Sequence, residues 1–454
     1  MATKKLPIVA IVGRANVGKS SLFNAILDRR EAIVANEPGT TRDAITAKAN
    51  YDGHDFWIVD TAGVKTPEDD FEFTIQEQIE QAADSADVIW VVAEADVQIT
   101  DEDRRVAKMA LKSGKPVFLV VNKVDKARKA DLVGIFQRLG IKQMIFTSAT
   151  HREGIAELLG RLVRVIPEVT AIEDDNRLHI ALLGRPNVGK SYLFNTLSKK
   201  QQAIVADVAG TTRDINRTIV RYEGREVELM DTAGIRRAGK IGRGVEHFSV
   251  LRSLSAIEQA DVCFLLMDVN ELNVQLDQKI AGMIKEAGKG LVLLVSKWDA
   301  AEGKDAYTRD ALAPQIASTY DFVPWAPLVF TSAVTGQNVT KLFDLALQID
   351  QERGKRIPTR QLNQWLRRVV DSHPPAGLKN HNPKLNYMVQ ETDNPTPAFK
   401  IFGSQTKFLH WSYRRYMERA MRETFGYAGT PLQLWFIEKH VSHKHGNSPT
   451  KARR

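Results

Sequence analysis

The amino-acid sequence predicts an α/β protein in which one doubly wound, mainly parallel domain is used twice and a small α+β domain follows. Three observations lead to that fold class. Gly13, Arg14, Ala15, Asn16, Val17, Gly18, Lys19 and Ser20 return as Gly184, Arg185, Pro186, Asn187, Val188, Gly189, Lys190 and Ser191, 171 positions later (184 minus 13). Both copies follow a short apolar run, at 8–12 and 179–183, and lead into a helical pattern. Positive charge gathers beyond residue 350, where 19 Lys and Arg stand against 7 Asp and Glu, a balance of +12. The rest of this chain of net charge +8 is therefore at 8 − 12 = −4.

Within the first half, apolar runs at 8–12, 55–59, 88–93, 117–121 and 144–146 alternate with helix-period stretches. Strands separated by helices pair in parallel, and open sheets of this kind hold ligands beyond the carboxyl ends of their strands. Later motifs repeat in the same order. Gly-Thr-Thr-Arg-Asp stands at 39–43 and 210–214, Asp-Thr-Ala-Gly at 60–63 and 231–234, and Thr-Ser-Ala at 147–149 and 331–333. Asn-Lys-Val-Asp at 122–125 faces Ser-Lys-Trp-Asp at 296–299. Order kept through five elements indicates a duplicated domain and not a solenoid. The predicted boundaries are 1–167 for the first domain, 168–177 for an acidic linker and 178–350 for the second domain. A basic α+β domain at 351–440 and a disordered basic tail at 441–454 complete the chain. In that third domain the pattern predicts a helix over 358–370 with proline at its start and a loop over 371–382. Strands are predicted at 384–390, 398–402 and 432–437, and a long basic helix over 407–424.

A chain of 454 residues exceeds one core. Its single cysteine, Cys263, sits in an apolar run, so no disulfide forms within the chain and a reducing compartment fits. Neither a signal-peptide core nor an apolar run of membrane-spanning length is visible, and a cytoplasmic monomer is expected. The basic C-terminal quarter favours phosphate-rich partners, although a merely solvated basic surface gives the same composition.

The repeated segment is the G-x-x-x-x-G-K-[ST] pattern in the strand–loop–helix context it requires. Its glycines let backbone N–H groups face a phosphate, and the helix start adds positive potential. Lys19 and Lys190 are expected at the terminal phosphates, and Ser20 and Ser191 at Mg²⁺. Asp60 and Asp231 end strands and are expected to order a water on that ion. Thr61 and Ala62, like Thr232 and Ala233, lead to Gly63 and Gly234, whose N–H groups are aimed at the γ-phosphate. Thr41 and Thr212 are read as the threonines that close over the metal, so that hydrolysis releases both segments.

Asn122, Lys123, Val124 and Asp125 point to guanine. An aspartate carboxylate accepts two parallel hydrogen bonds from guanine N1–H and the 2-amino group, which adenine does not supply. The lysine stem covers the ring. Downstream, Ser148 with Ala149 and Ser332 with Ala333 are expected to bring backbone N–H groups to guanine O6. The second copy reads Ser296, Lys297, Trp298 and Asp299. Replacing asparagine by Ser296 removes one hydrogen bond, about 0.5–1.5 kcal/mol, or up to about tenfold in affinity. A weaker second site is expected. Val64 and Ile235 stand where many GTPases place the water-orienting glutamine, so slow intrinsic hydrolysis is expected. Asn16 and Asn187 are candidates to give an oxygen to a K⁺ ion bridging the phosphates, or simply to stabilise the turn. After the Asp-Thr-Ala-Gly motifs the first half is acidic (66–72) and the second basic (235–243), which suits docking of the second to RNA or an acidic domain. In the third domain Arg414, Arg415, Arg419 and Arg422 are the candidate RNA contacts. Gly426 and Gly429 fit a G-x-x-G pattern, but a strand follows at once and a helix-end turn is the better reading.

Gly-Arg-Pro-Asn-Val-Gly-Lys-Ser at 184–191, Asp-Thr-Ala-Gly-Ile-Arg-Arg at 231–237, and the segments 408–416 and 425–431 together resemble the Der (EngA) family of bacterial ribosome-assembly GTPases. The resemblance spans nearly the whole chain. It implies two tandem P-loop GTPase domains and a KH-like third domain. It further implies GTP hydrolysis, stimulated by K⁺ or ribosomal particles, in late assembly of the large (50S) ribosomal subunit, with rRNA and ribosomal proteins as partners. Ala15, Ala62 and Ser296 depart from the family pattern. Two other readings remain at this point: a GTP-gated RNA- or protein-binding module with negligible turnover, and a tRNA-modification GTPase, for which no catalytic cysteine or cofactor segment is visible.

Overall fold

The computed structural model describes residues 6–27, 46–61, 79–80, 82–83, 85–124, 129–166, 177–200, 203–204, 216–232, 250–301, 303, 305, 307–375, 377, 381–392 and 394–438. Two compact units divide the chain, Met1–Asp350 and Gln351–Arg454. The predicted linker, apart from Arg177, and the predicted tail lie outside the described residues.

The first unit holds two sheets of matching design. One contains β1 (Ile8–Val12), β2 (Thr46–Tyr51), β3 (His54–Asp60), β4 (Val88–Glu94), β5 (Val117–Asn122) and β6 (Gln143–Thr147), in the order β2-β3-β1-β4-β5-β6. The other contains β7 (Leu178–Leu183), β8 (Ala203–Ile204), β9 (Asn216–Tyr222), β10 (Arg225–Asp231), β11 (Val262–Asp268), β12 (Gly290–Ser296) and β13 (Leu328–Phe330), in the order β13-β12-β11-β7-β10-β9-β8. The doubly wound reading holds. β1 pairs in parallel with both β3 and β4, and β7 with both β10 and β11, which places the switch point of each sheet at the strand preceding the phosphate loop. The antiparallel additions β2, β8 and β9 were not legible, because β2 and β9 mix polar and apolar residues and the edge strand β8 is only two residues long.

One apolar cluster runs through both halves, joining Ile8, Trp57, Val59 and Val91 to Val250, Leu254, Ile257 and Leu265. The helix Val250–Gln259 lies within it and buries eight of its ten residues, including Ser253, Ser255 and Glu258. A helix buried on every side is sandwiched between layers. Its Glu258 accepts hydrogen bonds from Trp57 Nε1 at 2.6 Å and from the Leu6 N–H at 3.1 Å, so a carboxylate of the second half is held by the first.

The second unit is a three-stranded sheet, β14 (Lys384–Glu391), β15 (Ala398–Ser404) and β16 (Gln433–Glu438), in that order. β14 and β15 are antiparallel, with an irregularity between Leu385 and Tyr387, whereas β15 and β16 are parallel. A parallel pair needs a crossover, and the helix Trp411–Phe425 provides it. That helix and Thr359–Ser372 supply Trp365, Leu366, Met417 and Met421 to a core shared with Met388, Phe399 and Ile401. Pro358 caps the first helix rather than entering it. The basic helix begins at Trp411, later than its pattern predicts, because residues Thr406–Phe408 form a separate 3₁₀ turn. Gly426, at φ 89°, ends it, which is the helix-end turn read from the sequence.

Candidate functional site

Each phosphate loop leaves the end of a central strand and enters a helix, Lys19–Leu27 or Lys190–Lys200. The first loop glycine is required on two grounds. Gly13 and Gly184 sit at φ 152° and 140°, and a Cβ on either would lie 2.5 Å from a backbone oxygen, of Val92 or Leu266. Both loop lysines are buried. Lys19 Nζ donates to the carbonyls of Gly13 and Arg14, each at 2.7 Å. Lys190 Nζ donates to those of Gly184 (3.0 Å) and Arg185 (2.6 Å). Burial pushes the Lys19 ammonium below its ordinary range, opposed by the Asp60 charge. Loop carbonyls therefore hold each cation in the concavity where phosphate oxygens would compete for it.

Beside each lysine a hydroxyl meets a carboxylate. Ser20 Oγ donates to Asp60 Oδ2 at 2.5 Å and Ser191 Oγ to Asp231 Oδ2 at 2.8 Å. One hydroxyl and one carboxylate fit Mg²⁺, which takes few protein ligands and keeps water and phosphate oxygens for the rest. Among the described residues no cluster of three or more His, Cys, Asp or Glu side chains offers an all-protein cage. Thr61 and Thr232 turn their hydroxyls to the carbonyls of Ile11 (2.7 Å) and Leu182 (2.8 Å), fastening the ends of β3 and β10 to β1 and β7. Asn16 and Asn187 are exposed and left-handed, at φ 64° and 63°.

The side chain of the second loop residue is engaged within the protein: Arg14 pairs with Glu94 (3.3 Å) and Asp103 (3.4 Å). Arg185 does the same with Glu271 (2.9 Å) and Asp277 (3.0 Å). Each arginine is thus tied by its guanidinium while its carbonyl receives the loop lysine. Burial lifts the Asp277 carboxyl to about 6 despite the adjacent Arg185. A signal for one partner of each was present in the sequence: Asp103 and Asp277 stand 174 residues apart, the spacing that separates the two base-reading motifs, whereas the counterpart of Glu94 is Asp268, which pairs with Lys297 instead.

At the base-reading corner Asn122 joins three segments. Its Nδ2 donates to Val17 O (3.1 Å), and its Oδ1 accepts from Thr147 Oγ1 (3.2 Å) and the Ala149 N–H (3.1 Å). The N–H assigned from sequence to guanine O6 is therefore already shared with Asn122. Ser296 keeps the loop bond: its Oγ lies 2.7 Å from Val188 O and 2.9 Å from Met267 O, two acceptors for a single proton. What is lost is the link to the Thr-Ser-Ala segment, since Thr331 turns its hydroxyl to Gln337 O at 3.0 Å. The bond to the phosphate loop is therefore not the one that the replacement of asparagine by serine removes. Lys123 Nζ lies across the loop, bonded to Asn16 O (2.9 Å) and Glu94 (2.8 Å), and Lys297 Nζ pairs with Asp268 (2.6 Å). Val17, Val188, Val124 and Trp298 are buried supports. Ala15 and Asp299 are exposed, while Pro186, Gly18 and Gly189 are half-buried. Ser148 and Ser332 accept the N–H groups of His151 (3.2 Å) and Thr335 (3.1 Å), shaping matching turns around Ala149 and Ala333. Thr41, Ala62, Gly63, Val64, Asp125, Thr212, Ala233, Gly234 and Ile235 lie outside the described residues, as do both segments of opposite charge.

In the second unit the four candidate arginines separate. Arg422 is a structural residue: it bonds Glu418 at 2.8 Å and the carbonyls of Tyr427 (2.8 Å) and Thr430 (2.9 Å). Arg419 lies 3.8 Å from Glu423. Arg414 and Arg415 rest over aromatic rings, those of Phe436 and Trp411, each at 4.9 Å.

Residues 8–123 and 179–297 match the family model described as 50S ribosome-binding GTPase. Residues 356–436 match the KH-domain-like model of EngA bacterial GTPase enzymes, C-terminal. The chain is 44% identical over 440 residues to the GTPase Der of Chloroflexus aggregans, covering 95% of this chain and 97% of that protein. It is 41% identical to that of Herpetosiphon aurantiacus (95% and 96%) and 40% identical to that of Thermomicrobium roseum (96% and 97%). Among the described residues no helix is long and apolar enough to cross a membrane.

Proposed function

This chain belongs to the GTPase Der family and hydrolyses GTP to GDP and phosphate, and from that premise we propose that it acts in late assembly of the large (50S) ribosomal subunit. The observation that carries the proposal is the union, in one chain, of two phosphate-loop sites of the same construction with a KH-like unit of charge +12. Guanine nucleotide with Mg²⁺ fits both sites. The ion, when bound, neutralises phosphate charge. Ser20 with Asp60, and Ser191 with Asp231, are the residues that would hold it, with Thr41 and Thr212 closing over it. Lys19 and Lys190 orient the terminal phosphates, and the Gly63 and Gly234 N–H groups face the transferred one. Without a glutamine beside them, turnover is slow and is raised by K⁺, held through Asn16 and Asn187, and by ribosomal particles. The two switches then control docking on rRNA and ribosomal proteins, in the cytoplasm and as a monomer.

Sedimentation with ribosomal subunits under GDP, GTP and a non-hydrolysable analogue tests the partner, and GTPase turnover with and without K⁺ and large subunits tests the control. Nucleotide-dependent association with the large subunit and stimulated turnover are expected. Absence from the large subunit in every nucleotide state would overturn the reading.

A further inference from the structure

We propose that the exposed indole of Trp411, with Arg415 over its ring and Arg414 on the same helix face, is a stacking platform for a base of single-stranded RNA. The inference rests on the reading that the basic unit meets ribosomal RNA, and it adds the surface used and the strand state of the RNA. Trp411 is 47% exposed, more than any other large apolar side chain described between 351 and 454. The same small unit buries Trp365 almost completely. An exposed indole beside basic residues offers a flat face and positive charge together, the two features on which unpaired bases and their phosphates are held.

Three cations of this unit lie over aromatic rings. Arg415 lies over the Trp411 ring at 4.9 Å, Arg414 over Phe436 at 4.9 Å, and Lys407 over Phe408 at 5.1 Å. Phe408 is in turn stacked on His381, with ring centroids 3.6 Å apart. Among the described residues none of these three cations forms a salt bridge, whereas Arg419 and Arg422 further along the helix pair with Glu423 and Glu418. A guanidinium lying flat on a ring keeps its in-plane N–H donors for phosphate oxygens, and its charge is not neutralised. Trp411, Arg414 and Arg415 stand at i, i+3 and i+4, so one helix face presents a ring and two cations together.

That pairing selects the partner. The carboxylate side chains of an acidic peptide satisfy the cations but give the indole no flat ring to stack on. Duplex RNA offers phosphates but keeps its base faces inside the helix. Single-stranded RNA supplies both, because unpaired bases stack on aromatic side chains while the backbone follows basic residues.

The test is fluorescence anisotropy of the full chain with a labelled single-stranded oligouridylate of about 12 nucleotides, within the usual site size. Duplex RNA and polyglutamate serve as competitors. Trp411→Ala is expected to weaken binding about tenfold while Trp411→Phe retains most of it. Removing Arg414 and Arg415 together lowers the slope of log affinity against log salt by about 1.4, two phosphates at about 0.7 each. Basal GTPase turnover stays unchanged in all three variants. Wild-type affinity in Trp411→Ala, equal competition by duplex RNA or polyglutamate, or no saturable binding by the wild type would overturn the platform. Co-sedimentation of the wild type with large subunits is measured in parallel. Its absence sinks the ribosomal reading alone, whereas its persistence beside an inert Trp411 sinks only the platform.

Discussion

Asn122 and Ser296 occupy the same place in the two halves, at the ends of β5 and β12, and hold different segments together. Asn122 ties the phosphate loop to Thr147 and Ala149. Ser296 ties the loop to the neighbouring strand and leaves Thr331 to a local partner. A second matched pair diverges further. Ile8 and Trp57 of the first half correspond, at the 171-residue offset, to His179 and Glu228 of the second. Trp57 reaches across to Glu258, whereas His179 is enclosed by Glu228 (3.2 Å) and Asp261 (3.1 Å). Duplication kept the phosphate chemistry common and freed the surroundings to differ. One copy became a surface that seats the helix following the other copy's Asp-Thr-Ala-Gly segment, and the other keeps an internal ionic cluster.

The largest effect on this contrast is expected at the joint. Trp57→Phe leaves one Glu258 oxygen without its donor in a buried setting, which costs about 1.5–3 kcal/mol, as for a hydrogen bond to a charged group. Chemical denaturation should show the loss as an earlier transition of the first half, and an unchanged profile would mean that the halves do not depend on this bond. A smaller effect separates the two loops. A Cβ on Gly18 would lie 2.3 Å from Asn122 Nδ2, while one on Gly189 has nothing within 4 Å, although both sit in the left-handed region. Gly18→Ala should therefore weaken nucleotide binding in its half by about 1 kcal/mol more than Gly189→Ala does in its own, the value of the Asn122 bond displaced. Equal losses would remove the distinction.

A third effect is a dependence on pH. Burial alone would depress the His179 imidazolium, but hydrogen bonds to Asp261 and Glu228 outweigh it and raise its pKa to about 10. The folded protein holds this proton where the unfolded chain, near 6.5, releases it. The stabilisation is thus complete below about 6.5 and is lost as pH rises through about 10. His179→Asn should flatten that decline in the denaturation midpoint of the second half, and parallel wild-type and variant curves would contradict it.

The phosphate loops, the central strands and the base-reading motifs were legible because each is a local pattern with a local cause. The antiparallel strands β2 and β9 were not, since Thr46–Tyr51 and Asn216–Tyr222 mix polar and apolar residues and gain their place by pairing with β3 and β10. Arginine in the loop carries no local sign of its partners, which are carboxylates set well apart in the sequence. In the basic helix, sequence ranks Arg414 and Arg422 alike. Only packing shows that one lies on an aromatic ring and the other is bonded to the turn after Gly426. Ser296 illustrates the converse, because a shorter side chain reached the same loop carbonyl that asparagine does.

The central claim is that the two halves are unequal nucleotide sites of common construction. Titrating fluorescent GDP into Lys190→Ala reads the first site and into Lys19→Ala the second, with Asn122→Ser added to the first as the matched control. The account predicts that the first site binds up to about tenfold tighter, the worth of roughly one hydrogen bond, and that Asn122→Ser erases the difference. Equal affinities in the two single variants, or a tighter second site, would contradict it.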